Sequence, residues 1–268
     1  MIIGNREFDT KNSKYIMAIL NVTPDSFSDG GRYNALDAAL KHTEDMIAQG
    51  ADIIDIGGES TRPGYTMISD EEEIERVVPV IEAVKKRFDI PISLDTYKSR
   101  VAQAGIEAGA DLINDIWGFK YDENMAKVVS DNQVACCLMH NRQNTDYTDY
   151  VKNVTDDLKE SVDIAVNAGV SKDKIMIDPG VGFAKSYEQN LEIIRELDRL
   201  KILGYPILLG TSKKSVIGLT LNVPADERVA GTVATTVIGA MKGAAFFRVH
   251  NVAENLQAIK MVDAIGLC

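Results

Sequence analysis

Short runs rich in Ile, Val and Leu alternate with amphipathic stretches along most of the chain. The runs fall at residues 15–20, 52–56, 91–94, 111–113, 134–139, 174–177, 206–209 and 245–249. They are continuous rather than alternating with polar positions, as expected of strands buried on both faces of a parallel sheet. Between them, apolar residues recur at helical spacing over 34–49, from the acidic start at 70–73, from Val101 to Gly109, and over 124–130, 150–168, 187–200, 226–242 and 252–265. Gly50 follows the first of these stretches, as a helix stop. Eight strand–helix pairs without a linker predict one α/β domain over residues 1–268, a (β/α)8 TIM barrel. A doubly wound open sheet is the alternative arrangement of the same elements. Residues 1–14 lie outside the repeat and are read as a short N-terminal extension, a hairpin closing the barrel bottom.

Composition narrows the function. The 268 residues hold 40 acids against 29 Lys and Arg, a net charge of −11. That balance argues against a broad nucleic-acid footprint. No apolar run is long enough to span a bilayer. The opening MIIGNREFDT lacks a basic region followed by an apolar stretch, so no secretory signal is expected. Cys136, Cys137 and Cys268 have no metal-ligand spacing. The adjacent pair is expected on opposite faces of a strand as small apolar residues. A cytoplasmic protein is the default reading, with no nucleic-acid or membrane partner.

The unusual residues cluster where strands end: Asn21, Asp55, Asp95, Asn114 and Asp115, Met139 and His140, Asp178, the 210–214 segment, and Arg248 with His250. One aspartate at a strand end is ordinarily a turn-former. Polar ends on every strand converge, in a barrel, on the rim that carries the chemistry. Gly210-Thr211-Ser212-Lys213-Lys214-Ser215, beside Arg248 and His250, reads as an anion site. Neither a Walker loop nor a dinucleotide fingerprint is present. Asp95, Asn114 and Asp178 suit the edge of a heterocycle bearing amino and ring N–H donors, or else structural hydrogen bonds at the barrel centre. The loops 22–33 and 57–69 are candidate lids holding Asp25, Asp29, Glu59 and Arg62. His42 is expected at the surface and Trp117 in packing. The acid runs 70–73 and 156–157 read as solvated helix faces.

Together these segments resemble the dihydropteroate synthase family over nearly the whole chain. The resemblance rests on ILNVTPDSFSDGG at 19–31, IDIGGESTRPG at 54–64, SLDTYK at 93–98, LINDIWG at 112–118, MIDPGVGF at 176–183, LLGTSKKSVIG at 208–218 and FRVHNV at 247–252. It implies the joining of 6-hydroxymethyl-7,8-dihydropterin diphosphate to 4-aminobenzoate by dissociative substitution, with Mg²⁺ assisting and a homodimer as the assembly. By resemblance, Asp95, Asn114, Asp178 and Lys214 hold the pterin, and Ile116 and Met139 pack on its ring. Arg248 and His250 hold the diphosphate, and Asn21 helps bind Mg²⁺. Thr61, Arg62, Phe183 and Ser215 shape the aminobenzoate site, and Asp29 offsets the cation formed during reaction; Phe27 lies in the same loop. The chain departs from the family pattern at Lys213, where arginine is usual, at Ala184, where glycine is common, and over 141–150, NRQNTDYTDY. A pterin-binding methyltransferase serving a corrinoid protein, a catalytically silent paralogue and a generic phosphate-binding barrel enzyme are the alternatives. The first would need no diphosphate site.

Overall fold

The computed structural model describes residues 1–22, 31–59 and 67–266. Eight parallel strands form the central sheet: β3 (Tyr15–Asn21), β4 (Ile53–Gly57), β5 (Ile92–Asp95), β6 (Leu112–Asp115), β7 (Ala135–Met139), β8 (Ile175–Asp178), β9 (Leu208–Leu209) and β10 (Phe246–Val249). Their order is β8-β7-β6-β5-β4-β3-β10-β9. A parallel bridge between Ile177 and Ile207, with the Ile177 amide donating to the Pro206 carbonyl at 3.0 Å, joins the two ends. The result is the (β/α)8 barrel expected from the alternation, not the open sheet. Closure removes the sheet edges that an open arrangement would leave unpaired.

Ahead of the barrel, β1 (Ile2–Ile3) and β2 (Arg6–Glu7) form the expected hairpin. It lies at the barrel bottom, because Ile3 and Phe8 are buried with the inward-facing Met17, Ile53, Leu112, Cys137, Met176 and Phe246. Phe8 meets Tyr15 edge-on at 4.8 Å between centroids. The other face of each strand packs on the helices, and there Cys136 joins Ile54, Leu94 and Ile177. Cys136 and Cys137 thus occupy different cores, and burial holds both thiols above their ordinary pKa. Cys268 lies outside the described residues.

The helices are α1 (Gly31–Ala48), α2 (Asp70–Arg87), α3 (Ser99–Glu107), α4 (Met125–Asp131), α5 (Tyr150–Asn167), α6 (Tyr187–Arg195), α7 (Ser215–Leu221), α8 (Val229–Met241) and α9 (Val252–Ile265). Most follow the sequence reading. Ser69 caps α2 by accepting from the Glu72 amide, and the acids of the first turn face the positive end of the helix dipole. Three boundaries differ. The stretch 187–200 becomes α6 followed by a 3-10 turn, Leu197–Leu203, and α8 starts after a 3-10 turn, Ala225–Glu227. The short α7 has no counterpart in the sequence reading. Its residues SVIGLTL are β-branched or glycine at four of seven positions, which carries little helix propensity. Burial of Val216 and Ile217 supplies the stabilisation instead. His42 is exposed on α1, as expected. Among the described residues no helix is long and apolar enough to cross a membrane.

Candidate active site at the barrel mouth

Register brings the strand ends together. Asn21 lies opposite Gly57, Gly57 opposite Asp95, and Asp95 opposite Asn114. Across the mouth, Met139 pairs with Asp178. Arg248 enters from β10. Its Nε donates to Asp55 Oδ2 at 2.6 Å and its Nη2 to Asp95 Oδ2 at 2.5 Å. Asp55 is fully buried, and its Oδ1 accepts from Ser93 Oγ. Two carboxylates therefore share one guanidinium. Burial works against the Arg248 charge, but Asp55 and Asp95 outweigh it and hold the group ionised. The other oxygen of Asp95, Oδ1, is buried and has no donor among the described residues. Burial, helped by Asp55 and opposed by Arg248, lifts the Asp95 pKa to about 7.

Asp178 faces the second cation. Its Oδ1 accepts from the Gly180 amide at 2.7 Å, and burial raises its pKa against the pull of Lys214. Lys214 Nζ donates to the Val181 carbonyl and lies 4.8 Å from the centre of the Phe183 ring. Burial lowers the Lys214 pKa to about 8, with Asp178 resisting. Gly182 allows this approach: its φ is +86°, and a Cβ there would meet Lys214 Cδ at 3.2 Å. Ile116 and Met139 form an apolar patch with Tyr97, and Trp117 and Phe183 pack against it. Trp117 is thus a packing residue, as expected. His250 Nδ1 pairs with Ser212 Oγ at 2.9 Å, and its backbone amide donates to the same oxygen. Ser215 is exposed at the start of α7, and Asn21 is exposed at the end of β3. Asp25, Phe27, Asp29, Thr61 and Arg62 lie outside the described residues.

A mouth holding Asp95 near 7 and Lys214 near 8 sets a pH window. Asp95 becomes an acceptor as pH rises through about 7, and Lys214 loses its charge as pH rises through about 8. For a ligand that donates to Asp95 and needs the Lys214 cation, kcat/KM is expected to peak between those values. Asp95→Asn should remove the acid-side limb, and an unchanged limb would count against this assignment.

Several sequence readings need correction. Glu59, read as lid charge, is buried at the foot of the loop: it accepts from Tyr97 Oη at 2.6 Å, Lys98 Nζ at 2.7 Å and the Ile68 amide at 3.0 Å. Glu73, read as part of a solvated face, is buried and also takes Lys98 Nζ at 2.7 Å. Asp157, read likewise, accepts from Arg142 Nε at 2.6 Å and lies 3.0 Å from His140 Nε2. The charge runs mislead because these helix faces pack against other segments that bring cations, Lys98 for Glu73 and Arg142 for Asp157. Asp115 is the turn-former its position suggests, accepting from the Trp117 and Phe119 amides. Of the two lysines read as an anion site, Lys214 reaches the mouth. The Lys213 backbone has φ +58°, and its carbonyl accepts from Arg228 Nη1.

Two residues have partners that the sequence does not signal. Asp55 reads in sequence as a strand end, but a buried carboxylate inside a barrel requires a cation, and Arg248 supplies it. Lys185, two positions beyond MIDPGVGF, donates to His140 Nδ1 at 2.8 Å and to the Phe183 carbonyl at 2.9 Å. Ala184, beside it, has φ +45°, and its carbonyl accepts from Tyr147 Oη of the unusual 141–150 segment. An L-residue in the left-handed region costs about 1 kcal/mol or more. Ala184→Gly is therefore expected to raise the melting temperature by about 2–4 °C; a lower value would show that glycine's added freedom in the unfolded chain outweighs the relief.

Among the described residues no cluster of three or more His, Cys, Asp or Glu is arranged to hold a metal ion. The pterin binding enzyme family matches residues 17–250. A dihydropteroate synthase of Clostridium beijerinckii is 62% identical over 266 residues, covering 99% of both chains. Two solved structures are similar. One is dihydropteroate synthase from Clostridium difficile in the presence of pteroic acid, with TM-score 0.95 and 53% identity over 97% of this chain and 99% of that one. The other is the Yersinia pestis enzyme in a sulfonamide drug complex, with TM-score 0.92 and 41% identity over 99% of this chain and 98% of that one.

Proposed function

Because the chain belongs to the dihydropteroate synthase family of pterin binding enzymes, we propose that it joins 6-hydroxymethyl-7,8-dihydropterin diphosphate to 4-aminobenzoate, giving 7,8-dihydropteroate and diphosphate. The observation that carries this reading is the buried Asp95 Oδ1, which has no donor among the described residues, in a mouth that also holds Asp178, Lys214 and Arg248. An orphaned buried acceptor is expensive, and a ring edge with amino and N–H groups satisfies it. Asn114 adds an amide that both donates and accepts. Ile116 and Met139 offer the ring a flat apolar surface, and Lys214 closes the far side over Phe183.

Arg248, His250 and Ser212 sit on the adjoining wall, where the diphosphate would lie. As the pterin methylene carbon separates from its oxygen, the bond pair leaves with the diphosphate, and the carbon becomes cationic. Arg248 stabilises the leaving group because its fork is already held in place by Asp55 and Asp95. The aniline nitrogen then supplies its lone pair to that carbon and releases a proton. A neutral arylamine is nucleophilic, so no strong base is needed. Asp29 is assigned to offset the cation, and Thr61, Arg62, Phe183 and Ser215 to receive aminobenzoate.

Mg²⁺ fits this mouth only as a companion of the substrate. Asn21 offers one exposed amide oxygen there, and Mg²⁺ commonly takes few protein ligands with phosphates and water as the rest. Bound so, it would neutralise charge on the leaving diphosphate. Sulfonamides are proposed to compete with aminobenzoate. A homodimer is proposed on the exposed apolar side chains Leu219, Leu221, Ile238, Met241 and Met261 of α7, α8 and α9. The small residues of α8 do not serve it alone: Thr232, Thr236, Gly239 and Ala240 are buried. The site is assigned to one barrel domain over 1–268 in the cytoplasm.

The test follows diphosphate release and dihydropteroate formation separately, with Mg²⁺ and both substrates. Stoichiometric appearance of both, abolished by Lys214→Ala, is expected. Diphosphate release without coupled product would place a fault in the aminobenzoate loops. Pterin binding without turnover would favour the corrinoid methyltransferase reading.

A further inference from the structure

Behind the Lys214 wall runs a chain of polar contacts that the reaction itself does not use. Asp157 lies 3.0 Å from His140 Nε2, and Lys185 Nζ lies 2.8 Å from His140 Nδ1. The Asp157 carboxylate has no proton, so Nε2 carries the hydrogen and Nδ1 accepts from Lys185, whose pKa burial lowers to about 7. Burial keeps His140 neutral, with its pKa lowered to about 4. The side chain of His140 is fully buried, so this tautomer is fixed by its two partners rather than by solvent. Lys185 also donates to the Phe183 carbonyl at 2.9 Å within the β8–α6 loop, while its contact with His140 ties that loop to the end of β7. The same loop supplies the two groups that hold the Lys214 ammonium, the Val181 carbonyl and the Phe183 ring. The loop has no room to shift inward: a Cβ at Gly180 would lie 1.9 Å from the His140 carbonyl oxygen and 3.2 Å from Lys185 Nζ.

We propose that Lys185, oriented by the Asp157–His140 pair, is a positioning residue that shapes the β8–α6 loop so that the loop holds the Lys214 ammonium against the pterin. It does not touch substrate; it acts through Lys214. The inference rests on the proposed pterin site, and Lys185 itself is singled out neither by the family motifs nor by the strand-end pattern.

A double-mutant cycle tests it, read by calorimetric binding of 6-hydroxymethyl-7,8-dihydropterin diphosphate without 4-aminobenzoate. Lys185→Met is expected to weaken binding about tenfold when Lys214 is present, and less than about twofold in a Lys214→Ala background. A merely structural residue gives the same loss in both backgrounds. Equal losses, or no loss in either, would overturn the proposal. If Lys185→Met does not fold, His140→Leu removes the acceptor while leaving Asp157 paired with Arg142, and it runs through the same cycle. Failure of the unaltered chain to bind the diphosphate overturns the pterin reading and this inference with it. Normal binding with an additive cycle overturns the inference alone.

Discussion

Arg248→Ala is expected to reduce kcat/KM by about 10²–10³-fold and to destabilise the fold at the same time. Both effects come from one side chain. On the substrate side, a preorganised charged donor aimed at developing negative charge contributes about 10²–10³ in rate. On the protein side, Arg248 is the cation that Asp55 and Asp95 contact directly. Removing it leaves two carboxylates together in the barrel, one of them fully buried. Breaking a buried pair in this way typically costs about 3–5 kcal/mol. For a chain of this size that lowers the melting temperature by roughly 10 °C. The pH dependence has a definite sign. Asp95 has its folded pKa raised from the ordinary 3.8 to about 7. Its contribution is fully present at pH below the unfolded value and is lost as pH rises through the folded one. Removing Arg248, which pulls the Asp95 pKa down, raises it further, so the variant's deficit against the parent should be smaller at pH 5 than at pH 8. Arg248→Lys, which keeps charge without the fork, should fall between wild type and alanine. Thermal melts across pH with steady-state kinetics check all three points. An alanine variant as stable as the parent would show that the Asp55–Arg248–Asp95 cluster does not bear on folding.

The second large effect is expected at Lys98. Its ammonium donates to Glu59, Glu73 and the Ile68 carbonyl, and all three side chains are at least nine-tenths buried. Two carboxylates and one ammonium leave the cluster short of positive charge, and burial accordingly raises the Glu73 pKa. Lys98→Met would leave Glu59 and Glu73 facing each other without a cation, for a loss of about 3–5 kcal/mol. Lys98→Met with Glu73→Met keeps the same net charge in the cluster, since one cation and one anion leave together. It is expected to regain most of that stability. Chemical denaturation distinguishes the cases, and a single variant within 1 kcal/mol of the parent would refute the argument. Activity should respond too. Glu59 and Ile68 flank the segment that carries Thr61 and Arg62, so the doubly substituted, folded variant should show a raised KM for 4-aminobenzoate with pterin binding retained.

Much of this molecule is readable from its residues, for a physical reason. Parallel strands buried on both faces must be continuous apolar runs, and helices covering them must be amphipathic, so the barrel is written as a period. Once the barrel is granted, geometry gathers the strand ends, which is why Asp95, Asn114, Asp178 and Arg248 are identifiable without coordinates. Short elements are less legible. The α7 sequence has weak intrinsic preference, and its helix depends on what Val216 and Ile217 pack against.

Charge is where local reading fails most clearly. Glu73 and Asp157 sit in acidic runs that look solvated, yet each is bound to a cation distant in sequence, Lys98 in one case and Arg142 in the other. By itself the sequence determined the strand and helix periods, the barrel class, the rim on which the polar residues gather and the family to which the motifs belong. Only the tertiary structure decided which charges pair: that Arg248 is shared between Asp55 and Asp95, that Lys98 binds Glu59 and Glu73, and that Lys185 meets His140 rather than solvent. The reason is that periodicity is a property of neighbouring residues, whereas the pairing of buried charges depends on which distant segments the closed barrel brings within hydrogen-bond distance.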